Sequence, residues 1–453
     1  MNLNYPSKII LHIVIGILLY FVAFFSKIFF FGVIIYFLVN IFSSSKEKKT
    51  VEVLKACAYI VGAEVLFRMT KAGVFYESSK YLVIFFMLIG MYYRGLSNRS
   101  YPYLLFLFLL IPSILVASMN IGLDSNLRTN IAFVLSGPVC LGIAALYSFD
   151  KKISLKDLIN VLLFLGLPLV SLITYLFLYT VSLEDIFRGT QSNFAASGGF
   201  GPNQVATVLG LGMFVFCVNF FLNSKETLVK AINIILFGII SFRGIITFSR
   251  GGVITAILMI FSFLIIIYYK SSIRNKRIIG SSFLAVILAS AVIWVVSSNQ
   301  TSGLIDKRYS NQDASGKLKE DVSAGRVDLF LGELEGFISE PFFGVGASGM
   351  KERRLQSLGY VVATHNELSR MLSEHGMLGI IMLLILIIVP LTYRVNNKRN
   401  YFFYAFLVFW FATINHSAMR IAAPGFIYAL ALLNVTYEKR PVHRQRIIQQ
   451  RKD

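Results

Sequence analysis

A few cationic side chains and one histidine in this sequence could bind an anion and take up a proton. They stand in polar segments between apolar runs and are Arg188, Arg250, Arg326 and His365. Arginine stays charged and offers a planar fork of N–H donors that matches phosphate oxygens. A neutral imidazole can accept a proton from a hydroxyl group. These residue types together predict a site that binds an anion and activates a hydroxyl nucleophile.

His365 stands in the run Thr-His-Asn-Glu-Leu, and its surroundings predict a helix start. Thr364 with Glu367 three residues later is a capping-box pattern, so we expect a helix to begin at Thr364 with His365 in its first turn. The positive end of the helix dipole would disfavour protonation of the imidazole there. Taken alone, His365 is more simply interpreted as a histidine in a polar surface loop. His375 and His416 are weaker candidates for the same role.

Each candidate around His365 also has a purely structural interpretation. Arg250, at the mouth of an apolar run, could extend its head to the membrane interface, although the two glycines after it allow close backbone approach. Arg326 begins an amphipathic segment, and Arg188 lies in a polar loop. Asn203, at the start of an apolar run, is most simply a helix cap. Arg420 lies in the hinge between the last two apolar runs, where either interpretation fits.

The composition defines the class of protein. Hydrophobic residues make up 56% of the 453 residues and the mean hydropathy is +0.70, which indicates an all-α polytopic membrane protein. The net charge of +20 would suggest nucleic-acid binding in a soluble protein. Here the basic residues follow the positive-inside pattern, so no nucleic-acid partner is expected. The three cysteines show neither disulfide nor metal spacing, no paired acidic motif for Mg²⁺ is found, and we expect no metal and no cofactor.

About 14 apolar runs could span a membrane, and 12 spans are also possible because several runs are short. The runs lie near residues 8–25, 28–42, 51–70, 80–93, 102–118, 129–149, 157–181, 203–222, 229–247, 250–269, 278–296, 377–393, 401–415 and 420–437. Counting them places every strongly basic loop and both termini on one side, which is cytoplasmic by the positive-inside rule. The candidate site residues then face the periplasm or the cell exterior.

The chain divides into a transmembrane helical bundle, an extracytoplasmic loop, two or more C-terminal spans and a basic cytoplasmic tail, in the order 1–296, 297–376, 377–437 and 438–453. Within the loop, Ser297–Gly325 is polar and predicted to be irregular. Gly325–Glu340 has apolar residues at helical spacing and predicts an amphipathic helix on the membrane or on the bundle. Gly344–Gly349 matches the dinucleotide-binding pattern G-x-G-x-x-G, but no strand precedes it, so we predict a turn.

Four short motifs stand in a fixed order along the chain. They are Arg188 followed by Gly201-Pro202-Asn203; Ser249-Arg250-Gly251-Gly252; Gly325-Arg326 with Glu340-Pro341-Phe342-Phe343-Gly344-Val345-Gly346; and Thr364-His365-Asn366-Glu367-Leu368 through Glu374-His375-Gly376-Met377-Leu378-Gly379. In this order they resemble the O-antigen ligase and O-antigen polymerase superfamily of bacterial membrane glycosyltransferases. The resemblance covers roughly residues 185–395, and the last two motifs in tandem are the most specific.

The resemblance implies a GT-C-like helical bundle in the bacterial cytoplasmic (inner) membrane that works without a metal. Such enzymes move a glycan from undecaprenyl diphosphate to an acceptor hydroxyl. By this resemblance His365 is the general base. The diphosphate-binding residues are then Arg188, Arg250 and Arg326, and the supporting residues are Asn203, Asn366, Glu367 and Arg420. Because diphosphate is a good leaving group, positioning and charge stabilisation would do most of the catalysis, in one inverting displacement.

Three functions stay open on the sequence alone. A ligase would move a finished glycan to lipid A-core, whereas a polymerase would join repeat units of an O-antigen, capsule or exopolysaccharide on the same lipid carrier. The shared motifs do not separate these two acceptors. A lipid-glycan flippase or another transporter would carry polar residues in broken helices of two matching halves, and the sequence has few such residues and no such symmetry. The expected partners are therefore membrane lipids, an undecaprenyl-diphosphate-linked glycan and a glycolipid acceptor.

Overall fold

Helices build almost the whole chain, which confirms the predicted all-α class. The computed structural model describes residues 4–120, 125–180, 189–222, 226–321, 323, 325–360 and 364–437. The helices are α1 (Tyr5–Phe21), α2 (Phe25–Ser43), α3 (Lys49–Met69), α4 (Ser78–Arg94), α5 (Tyr101–Phe108), α6 (Ile111–Asn120), α7 (Ser125–Ser148), α8 (Leu155–Tyr179), α9 (Pro202–Leu222), α10 (Thr227–Ile245), α11 (Arg250–Lys270), α12 (Ile273–Gln300), α13 (Leu304–Tyr309), α14 (Arg326–Ser339), α15 (Gly349–Leu358), α16 (Glu367–His375), α17 (Met377–Asn396), α18 (Phe403–His416) and α19 (Ala423–Ala431).

Nine helical segments among the described residues are long and apolar enough to cross a membrane. They are Phe25–Ser43, Tyr101–Met119, Arg128–Ser148, Leu155–Tyr179, Pro202–Leu222, Thr227–Ile245, Arg250–Lys270, Ile279–Gln300 and Met377–Val395. Two shorter apolar helices are α1 and α18. Each of the 14 apolar runs coincides with helix, and α5 and α6 share one run, so a polytopic membrane protein is confirmed. The total of 12 to 14 spans stays a prediction.

The centre of the bundle is a backbone-to-backbone contact between α3 and α8. Gly62 of α3 is the residue that permits it, since a Cβ there would lie 2.1 Å from the carbonyl oxygen of Leu165. Small residues let helices approach in this way where lipid offers no hydrophobic drive for helix association. Both helices bury most of their length, so they form the fixed frame against which the other spans pack.

Several basic loops meet at one end of the bundle, in agreement with their predicted common side. Lys151 donates from Nζ to the carbonyl oxygens of Arg94 at 2.9 Å and Gly95 at 2.8 Å. The hydroxyl of Tyr437 donates to the carbonyl oxygen of Arg399 at 2.9 Å. These contacts join the loops before α5, α8 and α18 to the end of the described chain.

A short pair of strands at the same basic end departs from the predicted pattern. The apolar run 420–437 is helical only as far as Ala431, and β2 (Asn434–Thr436) follows α19. β2 pairs in parallel with β1 (Lys152–Ser154), which lies directly before α8. The last predicted span is therefore shorter than its apolar run, because its final residues exchange hydrogen bonds with a distant loop.

The segment predicted to be irregular, Ser297–Gly325, contains regular structure. α12 continues to Gln300, and the short helix α13 follows it. Asp306 of α13 accepts hydrogen bonds from Trp294 Nε1 at 2.9 Å and from the hydroxyl of Ser298, both in α12. These bonds fold the beginning of the loop back onto the end of α12, and no local sequence pattern announces them.

The glycine-rich run Gly344–Gly349 is a turn, as predicted, and it packs against two helices. The backbone N–H of Ala347 donates to the carbonyl oxygen of Ser113 in α6 at 2.9 Å. Gly346 has a φ of +87°, and a Cβ there would lie 2.6 Å from the backbone nitrogen of Ala117. Glycine is required because the backbone is left-handed and touches α6 directly. This turn fixes the segment 297–376 to the bundle.

Replacing Gly346 by alanine is expected to destabilise the protein by about 2 kcal/mol or more, since left-handed backbone is strained and the new methyl group would meet α6. Gly332→Ala is the matched control. Gly332 lies inside α14 with open space around its Cα, so alanine there should be neutral or stabilising by about 0.5–1 kcal/mol. Thermal unfolding of the purified variants in detergent compares the two, and equal midpoints would contradict the packing described.

Candidate active site

A polar cavity of about 470 Å³ opens at the end of the bundle opposite the basic loops. Four cations line it, Arg250, Arg308, Lys319 and Arg326, together with the carboxylate of Asp321. The imidazole of His416 also lines the cavity. Two of the four cations, Arg250 and Arg326, are predicted site residues that lie 76 positions apart in the chain. The fold brings them to one cavity, as the anion-binding hypothesis requires.

Three helices begin at this cavity and add to its positive potential. They are α9 at Pro202, α11 at Arg250 and α14 at Arg326. The first N–H groups of a helix have no partner within the helix, and the helix dipole places partial positive charge there. Helix N-termini that converge with arginines form a favourable environment for a phosphate or carboxylate.

The arginines are held in place by neutral oxygen atoms. Arg250 donates from Nη1 to Oδ1 of Asn311 at 2.5 Å, and Arg308 donates from Nε to the carbonyl oxygen of Phe248 at 3.2 Å. In the part of the chain that the structure describes, neither these two arginines nor Arg326 forms an ion pair. Partial burial, followed by repulsion from Arg250, lowers the pKa of Arg308 and of Arg326. An anion would relieve this repulsion.

Among the described residues, Asp321 is the one carboxylate that lines the cavity, and it binds the backbone next to it. Asp321 accepts from the backbone N–H groups of Ser323 at 2.7 Å and Gly325 at 2.5 Å, directly before α14. Among the described residues, no group of three or more His, Cys, Asp or Glu side chains is placed to hold a metal ion. The donors that line the cavity are N–H groups, which suit an anion. That the chemistry needs no metal stays an expectation of the resemblance.

Asn203 and Ser249 join two of the helices that begin at the cavity. Asn203 was predicted to cap α9, and this prediction is wrong. Asn203 lies in the first turn of the helix, after Pro202. Its Oδ1 accepts from the hydroxyl of Ser249 at 2.7 Å, directly before α11. A long-range hydrogen bond has replaced the expected local one. Asn203 therefore supports the position of Arg250, the next residue after Ser249.

His416, at the end of α18, reaches the cavity because Gly251 has no side chain. A Cβ on Gly251 would lie 2.4 Å from the imidazole. His416 Nδ1 lies 2.8 Å from the carbonyl oxygen of Ala412, so a neutral ring carries its proton on Nδ1. Its Nε2 then faces the hydroxyl of Thr207 at 3.4 Å. His416 is thus an imidazole that lines the cavity directly, whereas His365 is not among the described lining residues.

His365 lies in a turn before α16, so its predicted place in a first helical turn is wrong. α16 begins at Glu367, and Asn366 caps it by accepting two backbone N–H groups at 2.8 and 3.3 Å. Thr364 does not form the predicted capping box because its hydroxyl donates to Oε1 of Glu333 in α14, at 2.5 Å. A bond to another helix has displaced the local cap by two residues.

Neighbouring segments hold the turn that carries His365. The carbonyl oxygen of His365 accepts from the backbone N–H of Ala418 at 3.1 Å. Arg420 donates from Nη2 to the carbonyl oxygen of Thr364 at 2.7 Å. Both donors belong to the hinge between α18 and α19, so Arg420, a predicted supporting residue, acts on the backbone beside His365.

The environment of His365 keeps its imidazole neutral. Burial, followed by the nearby cations Arg420 and Arg326, lowers the pKa of His365 to about 4. Its Nδ1 is buried and has no hydrogen-bond partner among the described residues. The sequence predicted that the dipole of a helix beginning at Thr364 would disfavour protonation of His365. His365 instead precedes α16, and burial and the nearby cations lower its pKa. The carbonyl oxygen of His365 binds the backbone N–H of Ala418, two residues after His416 of the cavity lining, so the turn of His365 lies next to the cation cavity.

Glu367, another predicted supporting residue, belongs to an ion-paired network inside α16. Arg370 donates to Glu367 and, at 2.7 Å, to Glu374. All three side chains are buried. Glu367 also accepts from the backbone N–H of Met419 at 3.4 Å, which ties α16 to the hinge. Its role is to position this part of the fold, and it does not line the cation cavity.

The hinge itself rests on an ion pair within α3. Arg68 donates to Oε1 of Glu64 at 2.7 Å, four residues earlier, which is the spacing that brings side chains together on a helix. Arg68 also donates to the carbonyl oxygen of Arg420 at 3.1 Å, and Oε2 of Glu64 accepts from the backbone N–H of Ala422 at 2.7 Å. The buried pair thus satisfies the hinge backbone and fixes Arg420 near His365.

Glu333 is a supporting residue that the sequence analysis missed. Its side chain is 1% exposed and lies on α14, two turns after Arg326. It accepts from Arg354 at 2.5 Å, from Thr364 and from the hydroxyl of Ser369. One helix therefore provides a cation of the cavity and the carboxylate that holds the turn of His365.

Glu333→Gln is expected to lower the thermal stability of the protein strongly. The change leaves Arg354 opposite a neutral amide, and breaking a buried ion pair on one side typically costs about 3–5 kcal/mol. Glu335→Gln, an exposed change on the same helix, is the control and should have little effect. Thermal unfolding in detergent measures both. A Glu333→Gln variant as stable as wild type would show that this network does not hold α14 to α16.

The structure also adds residues to the cation cavity that were not predicted: Arg308, Asn311 and Lys319. A signal for two of them existed in the sequence. Arg308 and Lys319 are cations on a loop assigned to the non-cytoplasmic side, against the positive-inside rule. Arg188 belongs to the segment 181–188, which lies outside the described residues. Its part in the cation cavity therefore stays a prediction.

The fold and the cavity together define a polytopic helical membrane protein with a cation-lined cavity at one end. The family model for O-Antigen ligase matches residues 235–384. This range is about a third of the chain and includes Arg250, Arg308, Arg326 and His365. It confirms the predicted resemblance to the O-antigen ligase and polymerase superfamily of membrane glycosyltransferases. No curated protein matches the chain.

Proposed function

We propose that this protein moves a glycan from undecaprenyl diphosphate to an acceptor hydroxyl. The observation that carries the proposal is a cavity with three arginines that form no ion pair with any described residue. It lies next to a neutral histidine, within the segment that matches the O-antigen ligase family. The arginines Arg250, Arg308 and Arg326 supply the charge that a diphosphate requires. His365 supplies a base that is unprotonated at neutral pH.

The proposed reaction is one direct displacement at the anomeric carbon. The acceptor oxygen forms a bond to this carbon as the bond to the diphosphate oxygen breaks, so the configuration inverts. His365 accepts the hydroxyl proton on a ring nitrogen, and Arg250, Arg308 and Arg326 stabilise the negative charge that develops on the diphosphate. Because Asn311 and backbone carbonyls already hold Arg250 and Arg308, little reorganisation is needed during the reaction.

We propose that the cavity faces the periplasm or the cell exterior, with both termini in the cytoplasm. The support is the position of the basic loops at the opposite end of the bundle, together with the positive-inside rule. The bacterial inner membrane is the location where a polyprenyl-linked donor is available to such a site.

Among the acceptors, we propose lipid A-core, which makes the protein a ligase. The description of the matching family supports this choice over the polymerase. A host strain without the gene, complemented with wild type, His365→Ala or Arg250→Ala, tests it when surface and lipid-linked glycans are separated by gel. Arg353→Ala, a change at an exposed arginine of α15 outside the cavity, is the control.

A ligase predicts that the deletion leaves full-length polymer on the lipid carrier and none on lipid A-core, and that only wild type and the control restore it. Single repeat units on the carrier would instead identify a polymerase. If His365→Ala and Arg250→Ala reach the membrane at wild-type levels and restore the glycan fully, the proposed site is wrong, and a transporter becomes the better hypothesis.

A further inference from the structure

A second cavity, of about 340 Å³, lies at the turn that carries His365. Its wall comes from α7, α15, α16 and the hinge before α19. The lining includes Thr129, Asn130, Phe133, Lys351, Glu374 and Arg420. None of these residues lines the cation cavity. The proposed reaction does not yet use this second space.

The second cavity carries less net charge than the first, since its described lining has two carboxylates and three cations, whereas the first has one carboxylate and four cations. Arg370 is paired with both carboxylates of the lining, Glu367 and Glu374. Lys351 donates from Nζ to Oδ1 of Asn130 at 2.7 Å. The lining thus combines amide, hydroxyl and charged hydrogen-bonding groups with an aromatic ring, Phe133. Such a mixture suits the hydroxyl groups and apolar faces of a sugar better than a diphosphate.

The turn of His365 separates the two cavities. Thr364 and Ala418 line the second cavity, and the backbone N–H of Ala418 binds the carbonyl oxygen of His365. His416, which lines the first cavity, lies two residues before Ala418. The turn of His365 is therefore bound to the segment that contributes residues to both cavities, the strongly cationic one and the less charged one.

A direct displacement needs this arrangement. The nucleophile must approach the anomeric carbon from the side opposite the leaving diphosphate, and a general base must lie within hydrogen-bond reach of the attacking hydroxyl. The acceptor and the diphosphate therefore require separate spaces, with the base between them. A single cationic cavity would not provide both.

We propose that the second cavity binds the hydroxyl-bearing sugar of the acceptor and presents its oxygen to His365. This inference rests on the proposed function. The residues that would hydrogen-bond the acceptor hydroxyls are Asn130, Lys351 and Arg420, and Phe133 would face the ring of the sugar.

Two readouts separate the acceptor space from the donor space. The first is the rate of glycan transfer in host membranes, which contain the natural donor and acceptor. The second is the thermal stabilisation of the purified full-length protein by inorganic pyrophosphate, a probe of the cation cavity. Thr129→Trp fills the rim of the second cavity. Ala132→Trp, an exposed change on the same helix outside both linings, is its control.

We expect Thr129→Trp to lower transfer at least about tenfold, which corresponds to a loss of about 1.4 kcal/mol, and to keep the stabilisation by pyrophosphate. Lys351→Met should lower transfer about three- to tenfold, since one hydrogen-bonding group is lost. Its matched control is Arg353→Met, an exposed change on the same helix. Both controls should transfer glycan like wild type.

Wild-type transfer by Thr129→Trp would overturn the inference, because the cavity would then hold no substrate. Loss of pyrophosphate stabilisation in Thr129→Trp would also overturn it, since the space would belong to the donor site. Arg250→Ala reports on the proposed function separately. If pyrophosphate stabilises Arg250→Ala as much as wild type, the donor site is wrong, whatever the result for Thr129→Trp.

Discussion

Replacing His365 by alanine is expected to slow glycan transfer about 10²–10⁴-fold, the usual contribution of a general base, without loss of pyrophosphate binding. The variant keeps the backbone contacts of the turn, since Ala418 and Arg420 bind main-chain oxygens there. The variant loses the imidazole, and with it the ring nitrogen that accepts the hydroxyl proton. The measurements are transfer rate in host membranes and thermal stabilisation by pyrophosphate.

The second imidazole at the site makes this prediction selective. His416 lines the cation cavity, but its Nδ1 is bound to the carbonyl oxygen of Ala412 and its Nε2 faces Thr207. His416→Ala should therefore reduce transfer far less than His365→Ala. If the order is reversed, the base has been assigned to the wrong histidine, while the cation cavity stays the donor site.

The low pKa of His365 predicts an unusual pH profile. A histidine with its pKa lowered to about 4 is unprotonated, and able to act as a base, from neutral pH down to about pH 5. We expect kcat/KM to fall on the acid side near pH 4 instead of near pH 6.5. A bound diphosphate brings negative charge beside the ring and raises its pKa, so the acid limb of kcat should lie at higher pH. An acid limb of kcat/KM near 6.5 would contradict the burial of the ring.

The helices could be predicted from the sequence because the signal is local. Apolar runs of membrane-spanning length coincide with helices, except that the run 420–437 ends in a short strand. Glu64 and Arg68 form the pair that their spacing indicates. The ends of the helices were predicted less well. Asn203 and Thr364 were both expected to cap a helix next to them, and both instead bond to another helix, through Ser249 and Glu333. A local pattern does not show which partner wins.

The site was predicted only as far as its motifs extend. Arg250, Arg326 and His365 stand in short runs with a recognisable order, and the structure brings Arg250 and Arg326 into one cavity. Arg308 and Glu333 stand in no motif, and only the fold of the loop between α12 and α16 places them beside the others. Their positions depend on contacts between segments that are distant in sequence, which a single chain does not reveal.

Arg250→Ala is expected to lower transfer about 10²–10³-fold, the usual loss when one preorganised donor to a developing anion is removed, and to weaken pyrophosphate binding. Arg250→Lys should restore little of either. Lysine is charged but lacks the planar fork that can bind Asn311 and a phosphate at the same time. A full rescue by lysine would mean that only charge is needed at this position.

A double variant tests whether Arg250 and Arg308 act on the same anion. Residues that share one charged ligand show non-additive effects, so Arg250→Ala combined with Arg308→Ala should lose less pyrophosphate binding energy than the single changes added together. Arg250→Ala combined with Arg353→Ala, which removes an exposed arginine far from the cavity lining, should behave additively. Additive losses in both pairs would separate Arg308 from the anion site and leave Arg250 and Arg326 to bind the diphosphate.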